Sequence, residues 1–272
     1  MSNKLGIIAG GGRLPRLVID ACQRAGRDCY VVALEGQADH ATVQDVPHSW
    51  VRLGAAARAL ALARQEEVGE IVLAGHVKRP SLASLRPDWR TIRFLMRLGR
   101  SGLGDDGLLR RIVEEIEAEG FHVVGADTIV PDLKAEAGAL GRHAPDSQAL
   151  DDIRRGADVL RAMSAADVGQ AVVVQQGIVL GVEAIEGTDA LLDRCAGLKR
   201  EGPGGVLVKM RKSGQEDRID MPTIGVDTVT GATRAGLRGI AIEAGGAMLI
   251  DRQALIERAD EEGLFVVAIE AA

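Results

Sequence analysis

Seven charged residues and a glutamine crowd into the twelve positions 209–220: Lys209, Arg211, Lys212, Gln215, Glu216, Asp217, Arg218 and Asp220. They run directly into Met221-Pro222-Thr223-Ile224-Gly225, which reads as a fixed turn ahead of a helix. A carboxylate in front of a rigid turn, flanked by cations, suits metal-assisted phosphoryl chemistry. Mg²⁺ takes one or two carboxylates plus phosphate oxygens, and nearby cations offset the charge that develops on the phosphate. A solvated loop has the same composition, and spacing alone does not separate the two.

Three other segments carry chemistry. Gly10-Gly11-Gly12-Arg13-Leu14-Pro15 follows an apolar run and opens a helix, so its backbone N–H groups can approach a phosphate. A dinucleotide fingerprint would need a third glycine where Pro15 stands, although Glu35 falls where a ribose-binding acid would sit. Gly75-His76-Val77-Lys78-Arg79-Pro80 follows another apolar run, and Lys78 and Arg79 would suit a phosphate. A tight structural turn explains the first segment equally well, and a solvated basic turn the second. Glu183-Ala184-Ile185-Glu186-Gly187-Thr188-Asp189 is the first acidic cluster of the second half. Thr188 and Asp189 are helix-capping types, while Glu186 or Asp189 would serve a metal or a ligand at a helix N-terminus.

The elements that must position these residues alternate. Residues 5–9, 29–34, 49–53 and 70–74 read as buried strands, with helices at 14–25 and about 55–66. Strands separated by helices imply βαβ units and a parallel sheet. Ligands bind beyond the carboxyl ends of such strands, which brings residues 10–12 and 76–79 to one edge. Residues 131–147 lose periodicity and read as a linker. Beyond them come a helix at 148–163, a hairpin from 171–174 and 178–183 turning at Gln175-Gln176-Gly177, and strands at 206–209, 239–243 and 264–268. The fold class is α/β: a Rossmann-like parallel-sheet domain over 1–130, a linker, and a mixed α/β domain over 148–272.

Residues 78–100 hold seven cations against the single acid Asp88. Arg90, Arg93, Arg97 and Arg100 share a helical face, and Phe94, Leu95, Met96 and Leu98 cover the rest. Such a helix could lie on an anionic membrane, arginines to the headgroups and Phe94, Leu95 and Leu98 toward the acyl chains. It could also be a surface helix with its apolar side in the core. Asp105 then caps a helix running to about 119.

Composition excludes several classes. The chain has 272 residues and only three Phe, two Trp and one Tyr, so base-stacking platforms are nearly absent. With a net charge of −6, this argues against a nucleic-acid partner. The three cysteines, Cys22, Cys29 and Cys195, form no C-x-x-C pair and indicate neither a disulfide framework nor a zinc site. No apolar run reaches the length of a membrane span, and the N-terminus does not read as a signal peptide, which gives a cytoplasmic expectation.

Five segments together resemble the UDP-2,3-diacylglucosamine pyrophosphatase family of lipid A biosynthesis. They are Gly6-Ile-Ile-Ala-Gly-Gly-Gly-Arg-Leu-Pro15, Gly75-His-Val-Lys-Arg-Pro80, Gly104-Asp-Asp-Gly-Leu-Leu109, Val182-Glu-Ala-Ile-Glu-Gly-Thr-Asp189 and Asp217-Arg-Ile-Asp-Met-Pro-Thr-Ile-Gly225. They stand in family order across nearly the whole chain. The resemblance implies Mg²⁺-dependent hydrolysis of UDP-2,3-diacylglucosamine to UMP and 2,3-diacylglucosamine 1-phosphate, with water attacking the sugar-side phosphorus. It carries the family's essential aspartate to Asp220, as metal ligand or as the group orienting water, with Glu186 as a second candidate ligand. Substrate contacts are expected from Gly11, Gly12, Leu14, His76, Lys78, Gly187, Thr188, Asp189, Lys209, Arg218 and Thr223. Met221 replaces the usual Leu of the turn, a change of similar volume, and the usual Lys-Pro-Gln reads Lys212-Ser213-Gly214-Gln215. A lipid-linked substrate implies peripheral contact with the anionic inner-membrane surface, and the family leads one to expect a homodimer. Two other classes stay open. A nicotinamide-dependent oxidoreductase would rest on residues 10–12 and Glu35. A nucleotide-sugar or lipid-binding regulator would need no metal at Asp220.

Overall fold

The computed structural model describes residues 4–78, 87–98, 105–164, 166–212 and 215–270. The chain divides into two units, residues 1–131 with 216–220, and 132–215 with 221–272.

The first unit runs β1 (Leu5–Ala9), α1 (Leu14–Arg24), β2 (Cys29–Leu34), α2 (His40–Val43), β3 (His48–Val51), α3 (Ala56–Gln65), β4 (Glu70–Ala74), α4 (Trp89–Leu98), α5 (Asp105–Ala118), β5 (His122–Val123) and α6 (Ala126–Ile129). Its sheet has the order β3-β2-β1-β4-β5 and is parallel throughout. Leu5, Ile7, Val31 and Val72 are fully buried, as β-branched and leucine-rich strands covered on both faces require. Strand order reverses between β1 and β4, where ligands sit in open α/β sheets. The expected strand at 49–53 forms over His48–Val51 instead, and Arg52 beyond it turns to accept a backbone bond from Ala55.

The second unit runs β6 (Gly138–Ala139), α7 (Ser147–Ser164), β7 (Ala171–Gln175), β8 (Ile178–Val182), α8 (Gly187–Ala196), β9 (Val206–Lys209), β10 (Thr223–Ile224), α9 (Val226–Arg234), β11 (Gly239–Glu243), β12 (Met248–Leu249), α10 (Arg252–Glu261) and β13 (Phe265–Ile269). Its main sheet is mixed, in the order β6-β13-β11-β9-β7-β8. Alternation with period two divides the strand side chains between two cores. Val173, Leu207, Ile240, Ile242 and Val266 pack toward α8, α9 and α10, whereas Val172, Val206, Val208 and Val267 pack under α7. A Cβ on Gly156 of α7 would lie 2.6 Å from Val208, so this glycine sets how closely helix and sheet approach. The 171–183 hairpin turns at Gln176 and Gly177, both at positive φ, as a two-residue loop of primed type demands.

Two segments differ from the reading of the sequence. The stretch 131–147 contains a 3-10 turn at Pro131–Leu133 and the edge strand β6, paired antiparallel with β13. Two-residue strands leave no periodicity to read. Residues 216–220, read as part of the second domain, pack in the first unit, where Ile219 joins the core of Tyr30, Phe121 and Val123.

Candidate active site

In the first unit the ends of β1 and β4 are joined by a short ladder. Gly11 N–H donates to the His76 carbonyl at 2.8 Å, and His76 N–H returns a bond to the Gly11 carbonyl at 3.1 Å. Gly75 lies at φ +90° and Gly12 at φ +85°, backbone regions that glycine enters without a Cβ penalty. A Cβ at Gly11 would meet the His76 imidazole at 2.8 Å, so the ring lies against this loop. The structure thus brings Gly11, Gly12 and His76 together, with Leu14 opening α1 next to them. Pro15, which occupies the position of the missing third glycine, packs toward Gly75, and its missing N–H costs nothing in the first helical turn. Lys78 is exposed, and its backbone N–H donates to Gln37 Oε1 at 2.8 Å. Gln37 was not singled out in the sequence, because nothing local marks a loop glutamine that bridges the ends of β2 and β4. Arg79 and Pro80 lie outside the described residues.

The same unit holds residues 216–220. Arg218 donates through Nε to Glu216 Oε1 and through Nη1 to Glu117 Oε1, each at 2.7 Å. The two carboxylates raise the affinity of this guanidinium for its proton, and Arg218 holds the Glu216 carboxyl below its usual range. The Ile219 and Asp220 N–H groups both donate to the Glu216 carbonyl at 3.1 Å, closing a tight turn that ends on half-buried Asp220. Arg218 therefore fixes the turn that carries Asp220.

In the second unit the polar residues gather at one edge of the main sheet. β9 and β11 are parallel and in register at Lys209 and Ile242, so Lys209 and Glu243 end adjacent strands. Gln170 and Glu183 reach the same edge from the antiparallel β7–β8 hairpin. Lys209 is only 5% exposed. Its Nζ donates to Thr188 Oγ1 at 2.9 Å and to the Thr223 carbonyl at 3.1 Å. Thr188 Oγ1 in turn donates to Glu183 Oε1 at 2.6 Å. Buried Glu243 accepts from Arg211 through its backbone N–H and Nε, and Lys212 pairs with Asp167 while its N–H donates to Gln215. Each cation of the 209–212 run is thus oriented by an acceptor on another element. Such an edge can hold an anionic group against oriented ammonium and guanidinium donors.

Gly187, at φ +80°, and exposed Asp189 begin α8 beside Thr188. Glu186 spends both oxygens locally. Oε2 accepts from Ala184 N–H at 3.2 Å and Oε1 from Arg194 at 2.9 Å. Its own backbone N–H, then Arg194, hold this carboxyl below the usual range. Among the described residues no three His, Cys, Asp or Glu side chains gather as a metal site. Mg²⁺ needs fewer protein ligands than that when phosphate oxygens complete its shell. Sequence reasoning missed Glu243, Asp167 and Gln170 as supporting groups, since each lies more than 30 positions from the cation or glutamine that it meets. Lys212 and Gln215 are where the varied Lys-Pro-Gln segment begins and ends, and residues 213–214 lie outside the described residues.

Comparison with known proteins agrees in both halves. Residues 4–133 match the family described as LpxI N-terminal domain, and residues 136–267 that described as LpxI C-terminal domain. The chain is 41% identical to UDP-2,3-diacylglucosamine pyrophosphatase LpxI of Caulobacter vibrioides, with 98% of each chain covered. Among solved structures, CobK precorrin-6A reductase aligns over 99% of this chain and 88% of its own at 14% identity, with a TM-score of 0.36. The biotin carboxylase subunit of pyruvate carboxylase aligns over 64% of this chain and 35% of its own, at 12% identity and a TM-score of 0.27.

Proposed function

The chain belongs to the LpxI family, and on that premise we propose that it hydrolyses the diphosphate of UDP-2,3-diacylglucosamine to UMP and 2,3-diacylglucosamine 1-phosphate in lipid A biosynthesis. One observation supports the reading: the 41% identity to a pyrophosphatase of that name extends over 98% of the chain, and so spans both units. Water adds its oxygen to the sugar-side phosphorus. The bond from that phosphorus to the bridging oxygen breaks, and UMP leaves with the bridging oxygen.

Asp220 is the carboxylate that would hold Mg²⁺ or orient the attacking water, with Glu186, which also accepts from Ala184 and Arg194, as a second candidate ligand. When bound, Mg²⁺ would neutralise diphosphate charge and favour the leaving group. The chain's own groups have separate tasks. Arg218 keeps the Asp220 turn in place through Glu216 and Glu117. Lys209, oriented by Thr188 and Thr223, offers a desolvated positive charge to an anionic oxygen, and Asp189 and Gly187 shape the start of α8 beside it. In the first unit Gly11, Gly12, Leu14, His76 and Lys78 would contact part of the headgroup. The lipid-linked substrate implies work at the cytoplasmic leaflet of the inner membrane, and among the described residues no helix is long and apolar enough to cross it. A homodimer is the assembly we expect.

The reading is tested by UMP release from the substrate in detergent micelles, with Mg²⁺ and with chelator. Mg²⁺-dependent release supports it. A folded protein that releases no UMP returns the dinucleotide and regulator readings, which a nicotinamide titration and Mg²⁺-independent substrate binding would then separate.

A further inference from the structure

Helix α4 presents an apolar face to solvent. Trp89 is 61% exposed, Ile92 41% and Met96 78%. With exposed Arg93 they fall within roughly 100° of the helical circumference at 3.6 residues per turn. The opposite side is tied down. Asp88 accepts from Thr91 N–H and from Ala57 N–H, each at 2.8 Å, which caps α4 and links it to α3. Thr91 is buried and donates to the Gly54 carbonyl at 2.7 Å. Arg90 pairs with Glu119 at the end of α5 and lies 5.3 Å over the Trp89 ring. The outward direction of Trp89, Ile92, Arg93 and Met96 is therefore set by contacts on the inner side. The expectation that Phe94, Leu95 and Leu98 face acyl chains falls on side chains outside the described ones, as do residues 79–86 and 99–104.

We infer that α4 is the helix by which this protein lies on anionic phospholipid, with Trp89, Ile92 and Met96 entering the headgroup–acyl boundary and Arg93 meeting lipid phosphates. Charge complementarity selects this occupant. The stretch 78–100 holds seven cations in a chain of net charge −6, and its lone acid, Asp88, is consumed by capping. An amphipathic helix with Trp on one side and arginine beside it is built for a bilayer interface, where tryptophan is enriched and basic side chains are drawn to anionic lipid. The inference deepens the proposed reading, since a lipid-linked headgroup is met only at such a surface.

The test is flotation of the full chain with vesicles of phosphatidylethanolamine and phosphatidylglycerol, against phosphatidylcholine alone. Wild type should float with the anionic vesicles and, in salt, release. Arg93→Glu, and separately Trp89→Ser with Met96→Ser, should each lower the partition coefficient roughly tenfold or more. UMP release in micelles should stay within about twofold of wild type, which also shows that the variants fold. Wild type that ignores anionic vesicles, or variants that float unchanged, overturns the inference. So does a double variant that shifts the mass of the protein in solution while flotation is unaltered, because a second copy then covers the face. Loss of UMP release by wild type in micelles would instead count against the proposed reaction and leave the flotation result standing.

Discussion

The Lys209 ammonium donates to the Thr188 hydroxyl over 2.9 Å, and that hydroxyl spends its own proton on Glu183 over 2.6 Å. The order of donors is forced, because an ammonium only donates and an ionised carboxylate only accepts. Thr188 therefore relays the Glu183 charge to a lysine that is 5% exposed. This chain of hydrogen bonds therefore fixes the position of the buried Lys209 side chain.

Thr188→Val removes the hydroxyl and keeps the volume. We expect kcat/KM for UMP release to fall roughly 10- to 100-fold, from the loss of one charge-assisted hydrogen bond and the misplacement of Lys209. Glu183→Gln should fall by about tenfold, because the amide oxygen still accepts from Thr188 without the charge. Wild-type kinetics in both variants would detach Lys209 from the reaction.

Arg218→Ala leaves Glu216, whose side chain is 15% exposed, without its cation. The turn closed by the Ile219 and Asp220 amides should loosen by roughly 1–3 kcal/mol, seen as faster hydrogen exchange of those two amides than in wild type. The pH dependence has a definite sign. Arg218 lowers the folded-state pKa of Glu216 below its unfolded value, so the pair contributes stability above an ordinary glutamate pKa of about 4.3. That contribution is lost as pH falls through the folded pKa. The gap between wild type and variant should therefore be full near neutrality and close in acid. A gap independent of pH would contradict the assignment.

Gly75→Ala forces a side chain into φ +90° and against the Gly11 carbonyl. We expect at least about 2 kcal/mol of destabilisation, measured by urea unfolding followed through the Trp50 and Trp89 fluorescence, with headgroup binding weakened in whatever folds. Gly26→Ala, also at positive φ but with open space around its Cβ, should cost less, roughly 1 kcal/mol. Equal costs would mean that the Gly11–His76 ladder tolerates displacement.

Hydrolysis in ¹⁸O-labelled water places the label by the phosphorus attacked. Label in the 2,3-diacylglucosamine 1-phosphate and none in UMP is the expected result. Label in UMP would move the attack to the nucleoside-side phosphorus.

Much of the frame was legible in the chain itself. Strands 5–9, 29–34 and 70–74 stand at their expected positions, because short apolar runs bounded by glycine and charge leave little choice. The meeting of Gly11 with His76 followed from parallel topology alone. What stayed hidden depends on distance along the chain. Glu243 meets Arg211 across 32 positions and Arg218 meets Glu117 across 101, and no local pattern encodes either pair. The same holds for residues 216–220, since Ile219 finds its core in the first unit though the chain on either side of this five-residue segment belongs to the second. The two-residue strands β5, β6, β10 and β12 are too short for any period to show.

The most direct test of the account is UMP release from UDP-2,3-diacylglucosamine by wild type and Asp220→Ala, with Mg²⁺ and with chelator. The account predicts release by wild type with Mg²⁺, near-complete loss with chelator, and a fall of at least about 10²-fold in kcat for Asp220→Ala with substrate binding retained. An Asp220→Ala protein that releases UMP at the wild-type rate would contradict it.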